Sequence, residues 1–490
     1  MGVDLNSVIQ VLARGVLYGL PGVALGLIMV PVVINARKPA VSTIAWILAM
    51  VALPYLGVLL YVVFGHQRIQ RRVRRKRQAR YAVASGLVDV KGAIKAERVT
   101  VAGRLGNLSP MSRGLIRMAD AMGSSPPTIG NTVELLVDGD KFESLMDAIR
   151  GAEDHVHVEY YIFESDVTGR ALRDLLVERA RGGVKVRVLL DAIGVYDQAL
   201  GFFNTLEEVG GEVAFFMPVL LTTRRLDINF RNHRKIVVVD GRVGFLGGQN
   251  IGDEYSGLGE VERPWRDLHV RLDGPAVHFL QEIFVEDWFF TTGEDIIQPR
   301  YFPEHDGGGD ELVQVVQSGP DLEWPTLHQL YFTAISAARE RIFILNPYFV
   351  PTEPLLSALI AAAHRGVDVR VVLPHEGDQL LVFYAARSYY EELLKAGVRI
   401  YESRRMVHAK AMAVDGTFCT VGSCNLDVRS FYLNFEVNAL HYSKEVAKQV
   451  EAVFHDSLAE ATPIRLDDFL RRPFHSRLAE NACRLLSPML

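Results

Sequence analysis

Cysteine is scarce in this chain, with three among 490 residues: Cys419, Cys424 and Cys483. Three thiols make no paired framework and none is spaced Cys-x2-Cys, so neither a disulfide scaffold nor a zinc site is expected. A strong charge of one sign is also missing. The formal net charge of −5 supplies no global basic field, which argues against a nucleic-acid partner. Residues 15–34 and 41–64 contain no charged side chain at all. Each stretch is long enough to cross a bilayer core of about 30 Å. No basic region precedes Arg14, as a cleaved signal peptide would require, and only residues 35–40 separate the two stretches. They read as two transmembrane helices in a hairpin at the cell membrane.

Basic residues then gather. Between His66 and Arg80 stand Arg68, Arg71, Arg72, Arg74, Arg75, Lys76, Arg77 and Arg80, with no acid among them. The positive-inside rule puts this run, and the rest of the chain after it, in the cytoplasm. The run can serve as a topology signal alone or lie against anionic headgroups, where each basic residue contributes about 1 kcal/mol. Residues 469–490 mix leucines with arginines and can form either an interfacial helix or a helix packed on the last domain.

One short phrase occurs twice, 175 residues apart: His233, Lys235 and Asp240, then His408, Lys410 and Asp415. The apolar residues 236–239 and 412–414, followed by Asp-Gly, read as strands entering hairpin turns. Alternation along a strand puts His233 and Lys235 on one face, and His408 and Lys410 likewise. The same alternation puts Asp240 and Asp415 on the opposite face. Both aspartates belong to the catalytic phrase but are better read as turn formers than as acids that orient the histidines. Each copy leads into small and polar residues, 247–250 (Gly-Gly-Gln-Asn) and 422–425 (Gly-Ser-Cys-Asn). Asn250, Ser423 and Asn425 can add hydrogen bonds to an anion, and the small residues can let backbone donors approach it.

The stretches NHRKIVVVDGRVGFLGGQNIGDEY (232–255) and VHAKAMAVDGTFCTVGSCNLDVRSFYLNFEVN (407–438), with EYYIFESDVTG and NPYFVPTEPLL, resemble the phospholipase D superfamily and, more narrowly, bacterial cardiolipin synthases. Arg404-Arg405-Met406 departs from the Gly-Phe usual there. The resemblance implies a pseudo-twofold pair of domains with one active site at their interface. It also implies that Asp267 and Glu436, downstream of the two copies, orient the histidines. A second echo, GGVKVRVLL (182–190) against RGVDVRVVL (365–373), extends the repeat, and strand and helix signals alternate through both halves. The expected fold is therefore α/β: two tandem pseudo-symmetric phospholipase D-like sandwich domains preceded by two transmembrane helices. The boundaries are 1–66 for the hairpin, 67–127 for the basic segment and linker, 128–320 for the first half, and 321–490 for the second half with its C-terminal helix.

Two histidines and two lysines around one phosphate suggest phosphoryl chemistry. The lysines neutralise the nonbridging oxygens, one imidazole attacks phosphorus, and the other acts as general acid and then base. His233 is taken as nucleophile. Lysines beside the histidines would repel a cation, so no metal or cofactor is expected. The resemblance implies that the reaction is phosphatidyl transfer between two phosphatidylglycerol molecules, with anionic lipids as partners. Hydrolysis of another phosphodiester is the alternative, and a membrane scaffold without activity is a further one.

Overall fold

The computed structural model describes residues 22, 24–36, 40–62, 70–86, 103–195, 199–218, 230–261, 263–305 and 308–487. Residues 15–21 and 23 of the first apolar stretch, Arg68 of the basic run and residues 87–102 of the linker lie outside the described residues. The chain separates into two compact units, 1–74 and 75–490.

In the first unit the second apolar stretch is two helices, α1 (Ala40–Ala52) and α2 (Pro54–Leu60). Pro54 has no N–H, and its ring moves Leu53 out of helical geometry, to φ −134° and ψ 72°. The helices double back. The rings of Trp46 and Tyr61 stand 5.3 Å apart, where an unbroken helix would separate them by about 22 Å along its axis. Gly57 allows the close approach, since a Cβ there would meet the Ala49 carbonyl oxygen at 2.5 Å. Among the described residues no helix is long and apolar enough to cross a membrane, so the uninterrupted second span expected from hydropathy is not seen. Leu27, Ile28, Leu48 and Leu59 nonetheless point outward.

Helix α3 (Gln70–Gly86) carries the basic run. Lys76, Ala79 and Val83 are buried at helical spacing, while Arg75 and Arg77 are exposed. Part of the linker is also a docked helix, α4 (Pro110–Ala121). Ser109 caps it by accepting from the Ser112 N–H, Pro110 fits its first turn, and Leu115, Ile116 and Ala119 face the core.

Seventeen strands follow among the described residues. In the first half they are β1 (Thr128–Val137), β2 (His155–Tyr160), β3 (Lys185–Asp191), β4 (Glu212–Phe216), β5 (Ile236–Val239), β6 (Val243–Gly247) and β7 (Leu268–Asp273). In the second half, which by strand order begins ahead of the expected boundary at 320, they are β8 (Glu311–Ser318), β9 (Arg341–Leu345), β10 (Phe349–Val350), β11 (Asp368–Pro374), β12 (Arg399–Ser403), β13 (Ala411–Val414), β14 (Phe418–Gly422), β15 (Leu426–Asp427), β16 (Glu436–His441) and β17 (Ala461–Pro463). Fifteen of them form one sheet, in which β1 pairs antiparallel with β8 and the order mirrors itself on either side: β7-β6-β5-β2-β3-β4 beyond β1, and β16-β14-β13-β9-β11-β12 beyond β8, where β17 adds an edge. The parallel runs β2-β3-β4 and β9-β11-β12 match as well. The repeat seen in sequence is thus a structural duplication of an α/β unit.

Helices α5 (Asp140–Arg150) and α6 (Val167–Arg181) cover one face of the first half through Leu145, Leu172 and Leu176. In the second half α8 (Thr326–Ala337) and α9 (Glu353–His364) do the same through Leu327, Leu330 and Leu359. The remaining faces meet, with β14 against β7 and β16 against β6. Ile236, Val270, Val315, Ala411 and Val437 share one core there with α7 (Val277–Thr292) and α10 (Lys444–Leu458). Burial on both faces explains why these strands read as nearly continuous apolar runs. The terminal helix α11 (Phe474–Arg484) packs on the second half through Glu480, which takes Arg387 and Arg472, and through Cys483, while Phe474, Leu478 and Leu485 stay exposed.

The two Asp-Gly turns have positive φ at both residues, 52° at Asp240 and Asp415 and about the same at Gly241 (65°) and Gly416 (59°). Asp240 accepts from the N–H groups of Glu153, Asp154 and His155 at 2.8–2.9 Å. Asp415 does the same for Arg339, Glu340 and Arg341. Replacing either aspartate by alanine removes those acceptors and puts a methyl group in a left-handed conformation, so unfolding in urea should show a loss of about 2 kcal/mol. Asparagine, which keeps an acceptor oxygen and tolerates that φ, should lose less; equal stability of wild type and alanine variants would refute the turn role.

Candidate active site

The histidine–lysine phrases precede their strands and are not part of them: β5 begins at Ile236 and β13 at Ala411. What holds them extended is the opposite half. Asn232 bridges to Phe435, and Arg266 to Val407, each in parallel fashion. His233 N–H donates to the Phe435 carbonyl at 3.0 Å, and His408 N–H to the Arg266 carbonyl at 2.8 Å. Each histidine therefore lies beside the strand that carries the other half's carboxylate.

The side chains complete the exchange. His233 Nδ1 is 3.0 Å from Glu436 Oε2 and 3.1 Å from the Ser423 carbonyl. His408 Nδ1 is 2.6 Å from Asp267 Oδ2. A hydrogen on each Nδ1 satisfies these acceptors and leaves Nε2 as a free base. Ser423 Oγ donates to Glu436 at 2.5 Å, and the Leu268 N–H donates to Asp267 at 2.7 Å, so both carboxylates are themselves fixed. The counterpart of Ser423 is Gly248, where a Cβ would come within 2.2 Å of Asp267 Oδ1. Its small size makes room for that carboxylate and does not free a donor for an anion: the Gly248 and Ser423 N–H groups are engaged by the Leu268 and Val437 carbonyls.

Lys235 and Lys410 are fully buried. Their ammonium groups reach the carbonyls of His233 (2.7 Å) and His408 (2.5 Å), and Lys410 Nζ is 3.0 Å from His408 Nε2. Burial pushes His233 down to about 4 and His408 to about 3, with Lys410 adding to the effect on the latter. Burial also holds Lys410 to about 8 and, reinforced by Lys410, Lys235 well below the lysine range. Burial disfavours charge on Asp267 and Glu436 too, but the imidazoles and lysines facing them keep both below the usual carboxylate range. Two imidazoles whose protonation burial disfavours, beside two crowded lysines, make a site that gains from a bound phosphate.

Arg234 points the other way, as strand alternation requires. Its guanidinium pairs with Asp287 on α7 and donates to Gln317. Asp287 also takes Lys76 of α3 at 2.5 Å, and Glu286 takes it at 2.6 Å, every member being buried. Burial and the Asp287 charge push Glu159, which accepts from the Asn232 side chain at 2.7 Å, well above the carboxylate range. The run of basic residues thus includes one lysine that is held inside a buried charge network and is not a headgroup contact.

His233, Lys235, Asp267, His408, Lys410, Ser423 and Glu436 come together. Asp240 and Asp415 do not, being at the far ends of β5 and β13. Asn250 holds the Tyr255 hydroxyl at 2.9 Å, and the carboxamide oxygen of Asn425 is buried without a partner among the described residues. Sequence reasoning missed the aromatic walls: Tyr161 against His233 (5.1 Å), and Tyr255 (5.2 Å), Trp265 (5.4 Å) and Tyr348 against His408. Tyr161 and Tyr348 lie in the two flanking phrases quoted above, which was their only signal. Among the described residues no group of three or more histidine, cysteine or acidic side chains is gathered as a metal would require.

Residues 145–288 and 331–458 match the family described as cardiolipin synthase, PLD-like domain, and residues 24–66 match the phospholipase D-nuclease N-terminal family. The chain is 42% identical to a cardiolipin synthase of Geobacillus kaustophilus over 463 residues, covering 93% of this chain and 90% of that one. It is 38% identical over 474 residues to the major cardiolipin synthase of Bacillus subtilis, covering 95% and 97%. The crystal structure of phosphatidylserine synthase from Haemophilus influenzae shares the fold, with a TM-score of 0.59 at 14% identity over 77% of this chain and 100% of that one.

Sulfate, whose charge is constant with pH, reports on the lysines. Lys410 is charged below about pH 8 and neutral above it, so sulfate affinity by calorimetry at fixed ionic strength should be flat from pH 6 to 8 and then fall by up to about tenfold per unit. An affinity unchanged at pH 9.5 would contradict this. Lys76→Met should lower stability by about 3 kcal/mol, because it leaves Glu286 and Asp287 buried with one cation fewer; a urea midpoint equal to wild type would rule that out.

Proposed function

The chain belongs to the family of cardiolipin synthases with phospholipase D-like domains, and from that footing we propose that it transfers a phosphatidyl group from one phosphatidylglycerol to another, releasing glycerol. The observation that carries the reading is the crossed pairing of His233 with Glu436 and His408 with Asp267, each beside a lysine. Lys235 and Lys410 take the nonbridging oxygens. His233 Nε2 attacks phosphorus, the bond to the glycerol oxygen breaks, and His408 gives that oxygen its proton. The bound phosphodiester's negative charge raises the proton affinity of His408, which this step needs. His408 then removes the proton from the terminal hydroxyl of the second phosphatidylglycerol, the new P–O bond forms, and the P–N bond breaks. Two in-line displacements retain configuration at phosphorus.

In this reading the two catalytic halves, expected at 128–320 and 321–490 and divided by strand order just ahead of β8, lie on the cytoplasmic side of the cell membrane, and residues 1–66 anchor them. The outward Leu27, Ile28, Leu48 and Leu59 support lipid contact. Two straight spans would require α1 and α2 to open at Leu53 into one helix. Anchoring keeps the acceptor lipid at high effective concentration, which favours transfer over hydrolysis.

Purified protein incubated with phosphatidylglycerol in mixed micelles should yield cardiolipin and glycerol by mass spectrometry; phosphatidic acid as sole product would make the chain a hydrolase. His233→Ala and His408→Ala should each cut turnover by about a thousandfold or more. Intact-protein mass spectrometry should find a phosphatidyl adduct on the His408→Ala protein and none on His233→Ala, and the reverse pattern would exchange the two roles.

A further inference from the structure

A cavity of about 660 Å³ opens beside the site, lined by Arg263, Trp265, Arg404, Arg405, Met406 and Glu460 among others. We infer that it holds the phosphate of the acceptor phosphatidylglycerol, with Arg404 as the main contact. The inference rests on the proposed phosphatidyl transfer and adds to it the place of the second lipid.

Position comes first. Trp265 is a wall of the cavity and also lies 5.4 Å from the His408 ring. Met406, another wall, accepts from the Arg266 N–H at 2.8 Å, immediately before the bridge that positions His408. Trp265 is thus shared between the cavity and the surroundings of the imidazole that would deprotonate the acceptor. The geometry of phosphatidylglycerol demands a site at this range. Its terminal hydroxyl is joined to its own phosphorus through three carbons and one ester oxygen, a reach of at most about 6 Å at bond lengths near 1.5 Å. The acceptor's phosphate must therefore lie next to His408, while Lys235 and Lys410 are engaged with the donor's.

Charge comes second. Arg405 and Arg266 share Asp138, at 2.8 and 3.3 Å, and Arg263 stands 3.8 Å from Glu460. The lining itself brings three guanidinium groups, those of Arg263, Arg404 and Arg405, to one carboxylate, Glu460. Arg404 is exposed, and its side chain has no hydrogen bond or ion pair among the described residues, so its donors are available to a phosphate in a planar fork. The indole of Trp265 and the Met406 side chain give the same cavity apolar surface for the glycerol backbone.

The intermediate's choice between two acceptors tests this without depending on the first step. Wild-type protein is incubated with phosphatidylglycerol and isotopically labelled glycerol, and cardiolipin is compared with labelled phosphatidylglycerol. Glycerol carries no phosphate, so only the lipid acceptor uses the cavity. Arg404→Glu should lower the ratio of cardiolipin to exchange product by about tenfold, the size of one charge-assisted contact, and Arg404→Lys should recover most of it. A ratio unchanged in Arg404→Glu would overturn the acceptor site while leaving the transfer reaction standing. Neither product from wild type would overturn both.

Discussion

Each histidine finds the acceptor for its Nδ1 hydrogen only in the other half of the chain, and the rest of the architecture serves that exchange. A mirror-ordered sheet joined at β1 and β8 brings β7 opposite β14, and β6 opposite β16. Those contacts place Asp267 beside His408 and Glu436 beside His233. Parallel bridges at Asn232–Phe435 and Arg266–Val407 then fix the backbone to within a hydrogen bond. A single half, folded alone, would have an imidazole with no partner to choose its tautomer. Burial makes that condition costly, so the interface is a condition of the site and not merely its location.

Duplication has not made the two sides equal. Glu436 is steadied by Ser423, whereas the shorter Asp267 occupies the space a side chain at Gly248 would fill. Between histidine and lysine stands a buried Arg234 on one side and a buried Ala409 on the other. The buried arginine there is met by Asp287 of α7, and Asp287 with its neighbour Glu286 in turn draws in Lys76. His233 and His408 consequently sit in different fields despite an identical spacing of histidine and lysine.

Much of this could be read in the chain, and what could not has a common cause. Period-two alternation separated Lys235 from Arg234, and the Asp-Gly turns after β5 and β13 and the alternating strands and helices follow from local chemistry. Asp267 and Glu436 stood out through the family resemblance, each lying downstream of its copy of the phrase. Which carboxylate serves which histidine depends on contacts 141 and 203 residues apart, and no local pattern encodes those. Lys76 was hidden among seven like-charged neighbours, where nothing in composition marks the one that turns inward. The break at Leu53 was signalled by Pro54, but hydropathy averaged over a window passes over one residue. Ser109-Pro110, an ordinary helix start, likewise announced α4 within what looked like a connector.

The inward turn of Lys76 bears on how this protein can be shortened. A cut made anywhere after residue 86, to be rid of the apolar N-terminal region, would keep both catalytic halves intact as a fold diagram draws them. It would also take from their interior one of the cations that face Glu286, Asp287 and Asp321. The acids would be left to Arg234, whose own placement holds the loop carrying His233. The smallest self-sufficient catalytic body therefore begins with α3, and the basic helix is one of its internal parts.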